Sequence, residues 1–401
     1  MSDAVLAPRM SRVRPSPTAV ISDKVRALAL RGLDVINLGE GELDFPTPPH
    51  ICAAGIAAIE RGDTKYTAVA GTPALKAAII AKFERENGLV FQSHQVIAGT
   101  GAKQLVFNAL LATVAPGDEV IVPAPYWVSY PDMVALAEGE AKIVPCHEAD
   151  GWKLTAAALE AAITPRTRWI ILNSPNNPSG AVYTREEVAA LCAVLLRHPH
   201  VLVMADDIYE HLVYEGTFAT PAAVEPRLAS RVLTINGVSK THSMTGWRLG
   251  FAAGPDWLIA AMETLQSQST SNPSTISQAA ALAALNGGVS FLDDWRGLLC
   301  RRRDLVLEAV RGIDGLRAAK PTGAFYVWVD CSGLFGRRSP AGGTIRDDFD
   351  VADYLLDAAQ VGMVPGSAFG SPGHLRVAYA IDEKILKTAF EQIATACAAL
   401  T

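Results

Sequence analysis

Two short runs gather a carboxylate, a phenol, a hydroxyl, an amine and a guanidinium. Asp206, Asp207, Ile208 and Tyr209 follow the apolar stretch 201–205, and the run from Ser239 and Lys240 to Trp247 and Arg248 follows a second such stretch, 232–235. Short apolar stretches bounded by polar residues read as buried strands. Asp206 and Lys240 are therefore expected at strand carboxyl ends, the edge where open α/β sheets build ligand sites. The Lys240 amine suits covalent attachment to an aldehyde, provided burial or nearby cations disfavour its charged form. Arg248, with its two-pronged fork, and Ser239, with its hydroxyl, suit a phosphate dianion. Asp206 suits a pyridine nitrogen that must stay protonated if the ring is to accept electrons, and Tyr209 suits a phenolic oxygen on that ring. A helix cap, a solvated lysine and a surface arginine would each explain one residue alone. Pyridoxal phosphate asks for all of them together, and it is the expected cofactor.

At these positions the chain resembles the class I, fold-type I aminotransferases, in the bacterial aspartate aminotransferase branch that includes aspartate/prephenate enzymes. The likeness runs from about Arg12 to the last helix. It implies an α/β fold: a large domain with a mostly parallel mixed sheet flanked by helices, plus a smaller α+β domain. It further implies roles for residues outside the two runs. Gly101 and Ala102, in the stretch 99–104, match the turn that meets the cofactor phosphate at a helix start, a ready anion site. Trp127, in Pro125-Tyr126-Trp127-Val128-Ser129-Tyr130-Pro131, matches the aromatic that stacks on the pyridine ring. Asn177, in the turn-forming stretch 173–180, matches the amide that meets the phenolic oxygen. Tyr66 is similar to the tyrosine that reaches the phosphate of a neighbouring subunit, so the resemblance implies a homodimer with active sites at the interface.

The same resemblance addresses the substrates, an L-amino acid and a 2-oxo acid exchanged by a ping-pong reaction in which Lys240 moves the Cα proton. Arg376 matches the arginine that clamps the α-carboxylate in a two-pronged pair, and Gly39 the backbone that closes over that group. Lys103 and Arg14 match residues linked to acidic side chains, so aspartate or glutamate is the expected donor. The stretch Gly39-Glu40-Gly41-Glu42-Leu43 departs from the branch, which usually has Gly-Ala-Gly-Glu-Pro. An inward Glu40 would oppose an acidic donor. Neutral, aromatic or other polar donors, and a lyase of the same fold, therefore stay open as alternatives. A cofactor-binding transcription regulator would carry an additional DNA-binding domain, and only a short arm precedes the matched region.

Composition bounds the rest. A chain of 401 residues, half of them hydrophobic, buries a substantial core and is expected to split into domains, here 1–45 (arm and part of the small domain), 46–294 (large) and 295–401 (small). A net charge of −6 gives no footprint for nucleic acid. The six cysteines form no disulfide framework, and Cys146 beside His147 lacks a second ligand pair at zinc spacing, so no metal is expected. No stretch is long and apolar enough for a bilayer and the opening residues do not read as a secretory signal, so a cytoplasmic location is expected. Helices are expected over 73–87, ended by Gly88, over 186–196 and over 295–311, with a further strand over 169–172. The Gly-, Ser- and Arg-rich insertion 332–344 reads as a surface loop.

Overall fold

The computed structural model describes residues 6–401. Its centre is a seven-stranded sheet built from β1 (Val96–Gly99), β2 (Glu119–Ala124), β3 (Glu140–Pro145), β4 (Thr167–Asn173), β5 (Leu202–Asp206), β6 (Val232–Gly237) and β7 (Gly250–Ala253). The spatial order is β1-β7-β6-β5-β4-β2-β3, and only β7 runs antiparallel to the other six. The mostly parallel mixed sheet expected from the resemblance is thus what the chain forms.

Both faces of the sheet are apolar because both are covered, the usual condition for parallel strands. Side chains alternate between the faces. Val120, Val122, Trp169, Ile171 and Met204 meet the helices Ala102–Thr113 and Asp256–Ser267. Ile121, Ile170, Leu172 and Val203 meet Pro73–Lys82, Arg185–Arg197 and Thr275–Asn286. Each fully buried Leu, Ile or Val contributes about 1.5–3 kcal/mol of transfer free energy, so the sheet edge that carries the site is anchored by two continuous apolar layers.

A second, four-stranded antiparallel sheet joins β8 (Arg317–Ala318), β9 (Tyr326–Asp330), β10 (Val364–Pro365) and β11 (His374–Ala378) in the order β10-β11-β9-β8. It packs with the helices Leu292–Arg311 and Glu383–Ala398 into a core of its own. Near the start of the chain Ile36–Asn37 pairs in parallel with Val361–Gly362, which ties the stretch 37–43 to this second layer. Arg302, almost fully buried in the long helix, forms two parallel bonds to Asp44 (2.7 and 2.8 Å), the residue that follows this stretch.

Local signals and structure agree at several ends. Thr184 and Glu187 form a reciprocal capping box at the start of Arg185–Arg197. Thr72 caps Leu75 while Pro73 fills the first helical position. The expected helix 73–87 instead changes character: α-helix ends at Lys82 and a π turn, Phe83–Asn87, carries the chain to Gly88 in the left-handed region. A buried polar network accompanies the wider turn: Lys82 donates to Asn87 Oδ1 (2.8 Å) and to Glu210, and Asn87 Nδ2 donates to Glu210 Oε2 (2.8 Å). The insertion begins with a 3₁₀ turn, Ser332–Leu334, and is closed by an Arg338–Thr344 bridge. All six cysteines are unpaired. Among the described residues no helix is long and apolar enough to cross a membrane.

Candidate active site

Five parallel strands end at one edge, and each delivers a residue singled out above. β1 leads to Gly101 and Ala102, β2 to Trp127, β4 to Asn177, β5 ends on Asp206, and β6 leads to Ser239 and Lys240. Asn173 and Asp206 are register partners, and the Asn173 side chain bonds the Asp206 carbonyl (2.9 Å) and the Asn177 N–H (2.8 Å). Above this edge the second sheet presents Arg376 and Tyr326, and the stretch 39–42 lies between. The cavity so enclosed measures about 320 Å³. It is walled by Ala102, Lys103, Trp127, Asn177, Asp206, Tyr209, Ser239, Lys240, Arg248 and Arg376.

Lys240 is half-buried on the wall of this cavity and its Nζ donates to the Gly41 carbonyl (2.5 Å). Burial, then the charge of Arg376, brings its pKa from 10.5 down to about 8, helped by Arg248 and resisted by Glu42 and Asp206. This is the condition for a lysine that must present a neutral amine. Asp206 is 5 % exposed, and its Oδ2 accepts from the Tyr130 hydroxyl (2.5 Å) while Oδ1 has no partner. Burial raises its pKa, with the Tyr130 hydroxyl, then the Ile208 backbone N–H and the charge of Lys240, pulling it back. A buried, half-satisfied carboxylate is costly unless a charged donor meets it.

Arg376 is the counterpart on the second sheet. Its guanidinium donates to Asn177 Oδ1 (2.9 Å) and the Gly39 carbonyl (2.5 Å), lies over the rings of Tyr326 and Phe369, and leaves Nε unpartnered. The Tyr209 hydroxyl meets that of Tyr326 (2.8 Å). Gly101 has φ 84°, and a Cβ there would come within 2.8 Å of Arg248 Nη2, so glycine is what lets the guanidinium lie against the helix start. Lys103 sits 4.9 Å from the Trp127 ring centre, its pKa lowered by burial and then by Arg248.

Two candidates lie away from the cavity of their own chain. Tyr66 is 90 % exposed, and Arg14 is exposed near Asp132. Glu40 does line the cavity wall, with Oε2 accepting from Asn37 Nδ2 (2.9 Å). Glu42 lines it too, bonded by Thr245 Oγ1 (2.8 Å). Sequence reasoning passed over Tyr130, Tyr326 and Glu42. Tyr130 had a signal, since it stands three residues beyond Trp127, while Tyr326 arrives from a distant sheet with no local cue. Also passed over was a polar cluster behind the lysine turn, in which His211 meets Glu86 (3.0 Å) and Thr241 (3.2 Å). Beside that cluster His242 is buried, its pKa pushed down to about 3 chiefly by burial, so it stays neutral and is no proton acceptor near neutral pH.

This edge, with its lysine, aspartate and arginine facing one cavity, has the makings of a group-transfer enzyme. The family model for aminotransferases of class I and II matches residues 33–393, and the chain belongs to that family, with the type I fold. It is 54 % identical over 399 residues to an aspartate/prephenate aminotransferase of Cereibacter sphaeroides, covering 99 % of this chain and 100 % of the relative. It is 52 % identical to an aspartate aminotransferase of Rhizobium meliloti, covering 98 % of this chain and 96 % of the relative. Among solved structures, an aspartate aminotransferase from Rhizobium meliloti superposes with a TM-score of 0.95 at 51 % identity, over 99 % of both chains. That of Thermus thermophilus with maleate gives 0.91 at 42 %, over 98 % of this chain and 99 % of that one.

Proposed function

We propose that the cavity binds pyridoxal phosphate and moves the amino group of an acidic L-amino acid, aspartate or glutamate, to a 2-oxo acid. The observation that carries this reading is the unpartnered Oδ1 of buried Asp206, facing the same cavity as an amine whose pKa is brought to about 8. A protonated ring nitrogen would satisfy that oxygen and neutralise its charge. Arg248, Ser239 and the start of the helix Ala102–Thr113 would hold the phosphate, Trp127 the ring face, and Tyr209 with Asn177 the phenolic oxygen. When bound, the cofactor supplies an electron sink for the pair released as a substrate Cα gives up its proton.

The chain's own groups do the rest. Arg376 exchanges its bonds to Asn177 and Gly39 for a two-pronged grip on the substrate carboxylate, which fixes the direction of the Cα–H bond. Lys240 takes that proton and returns it two atoms away, beyond the transferred nitrogen, a task suited to a pKa near the working pH. Asp206 keeps the opposing charge in place throughout. Arg376 and the stretch 39–42 shield the exchange from water. A screen of amino donors against 2-oxoglutarate, oxaloacetate and prephenate tests the reading, and failure of aspartate and glutamate to serve as donors would refute the substrate class.

Lys103 is the side-chain reader in this proposal, and Glu40 and Glu42 on the cavity wall favour a second reading, a preference for neutral or polar donors. A charge-assisted bond is worth about 1.5–3 kcal/mol, roughly ten- to a hundredfold in kcat/KM. Lys103→Ala is therefore expected to lower kcat/KM for aspartate by that factor while sparing alanine. Equal losses for both donors would remove Lys103 from this role.

The homodimer with shared sites rests on Tyr66 and Arg14, which lie outside their own cavity, with an aromatic ring left bare. In the proposed assembly both reach the neighbouring subunit's site, Tyr66 to the phosphate and Arg14 to the donor's side chain. Mixing an inactive Lys240→Ala chain with a crippled Tyr66→Ala chain then restores activity, because one site of each mixed dimer collects both intact residues. An active monomer in solution, or mixtures no better than their components, would defeat the shared site.

A further inference from the structure

A second cavity, of about 170 Å³, lies outside the candidate active site, between the stretches 148–153, 179–182 and 319–322. Trp328 and Trp152 line it, together with Lys153, Lys320, Ser179 and Thr322. Trp328 is 3 % exposed and its indole Nε1 has no hydrogen-bond partner. A buried indole N–H normally finds an acceptor, and leaving one unmade carries a desolvation penalty. Trp152 supplies a second anomaly. It has φ 61°, a conformation that bulky side chains rarely adopt, and its ring stands edge-on to His374 (5.0 Å), which itself stacks on Trp328 (5.1 Å). Backbone strain of this kind persists where the surroundings impose it and is concentrated at ligand sites.

The charges at the wall favour an anion. Lys153 and Lys320 give one donor each to Glu187 (2.5 Å) and Glu215 (2.5 Å), neither of which lines the cavity, and each ammonium keeps further N–H groups. Glu148 is the one carboxylate on the wall, and it faces Arg317 at 3.7 Å. The remaining surface is apolar, from Val182, Pro321 and Ala181. The volume suits a single ring, since a cavity of about 150 Å³ accepts benzene. We propose that this cavity is a binding site for a small aromatic monocarboxylate, whose carboxylate accepts from the Trp328 indole and a lysine while its ring lies against Trp152. None of the residues lining this cavity lines the candidate active site, so the occupant sits outside the Arg376 clamp.

Benzoate is the probe, titrated calorimetrically into the cofactor-loaded protein already saturated with maleate. Maleate titrated alone reports on the clamp, so failure of the active-site reading is separable from failure of this one. The expected result is one benzoate per chain that persists under maleate, and about ten- to a hundredfold weaker binding in Trp328→Phe, whose maleate affinity is unchanged. Crystals of the parent soaked in benzoate and maleate should show the acid against Trp328, which keeps the test valid if the variant folds poorly. Benzoate displaced by maleate, density at Arg376 only, or equal affinity in a folded Trp328→Phe would overturn the proposal.

Discussion

Lys240→Ala should fold, lose the near-visible absorbance of a lysine-linked cofactor and lose turnover by at least the 10²–10⁴-fold that a positioned proton-transfer group supplies. The fold survives because Lys240 packs into a cavity rather than a core, and its one hydrogen bond goes to the Gly41 carbonyl. The pKa adds a readout that activity does not give. The amine binds its proton less tightly in the folded chain (about 8) than at its ordinary value of 10.5. Protonation therefore opposes folding: the penalty is absent above pH 10.5 and complete below about 8. At pH 7 the cofactor-free variant should melt no lower than the cofactor-free parent. Between pH 6 and 9 the parent's rate of covalent cofactor capture should rise with pH and level off above about 8, as the neutral amine fills in. Near-normal transamination by the variant would sink the role of Lys240, and a capture rate flat between pH 6 and 9 would contradict the lowered pKa.

Much of this site was readable because its residues cluster in sequence at strand ends. A strand that runs into Asp206, and another that runs into Ser239 and Lys240, announce themselves through apolar stretches cut off by polar residues, and the structure shifts the first by one residue, to 202–206, and lengthens the second by two at its carboxyl end, to 232–237. The parallel arrangement followed from strands alternating with helices. What the sequence concealed came from across the fold. Tyr326 reaches Tyr209 from a strand of the second sheet, and the Tyr130 hydroxyl reaches Asp206 only because the helix Ser129–Leu136 is packed over that strand end. The π turn after Lys82 was invisible for a related reason: local propensity favours continuing the helix, and the competing pull is a buried bond to Glu210, far along the chain. The position of Glu40 on the cavity wall also had to be seen, since it depends on Asn37 holding its carboxylate.

Asp206→Asn carries the second large effect, because it alters charge while keeping shape. The replacement amide still accepts from Tyr130 through its oxygen, but its other atom becomes an N–H donor where the parent has the unpartnered Oδ1. A ring nitrogen there can no longer keep its proton against a facing donor, so the negative charge that develops at Cα has no stabilised destination. Loss of one such preorganised electrostatic partner costs on the order of 10²–10³ in kcat. Binding should persist, since the proposed phosphate ligands Arg248 and Ser239 and the amine of Lys240 are untouched, and the defect should appear in the single-turnover rate of Cα deprotonation with a matching primary deuterium isotope effect. The buried carboxylate has its pKa raised by burial, so its charge is a burden on the empty fold. Removing that charge should leave the cofactor-free protein melting at or above the parent's temperature, whereas an aspartate kept for structure would lower it by several degrees. An unchanged single-turnover rate, or a clear drop in cofactor-free stability, would show that Asp206 serves the fold rather than the ring nitrogen.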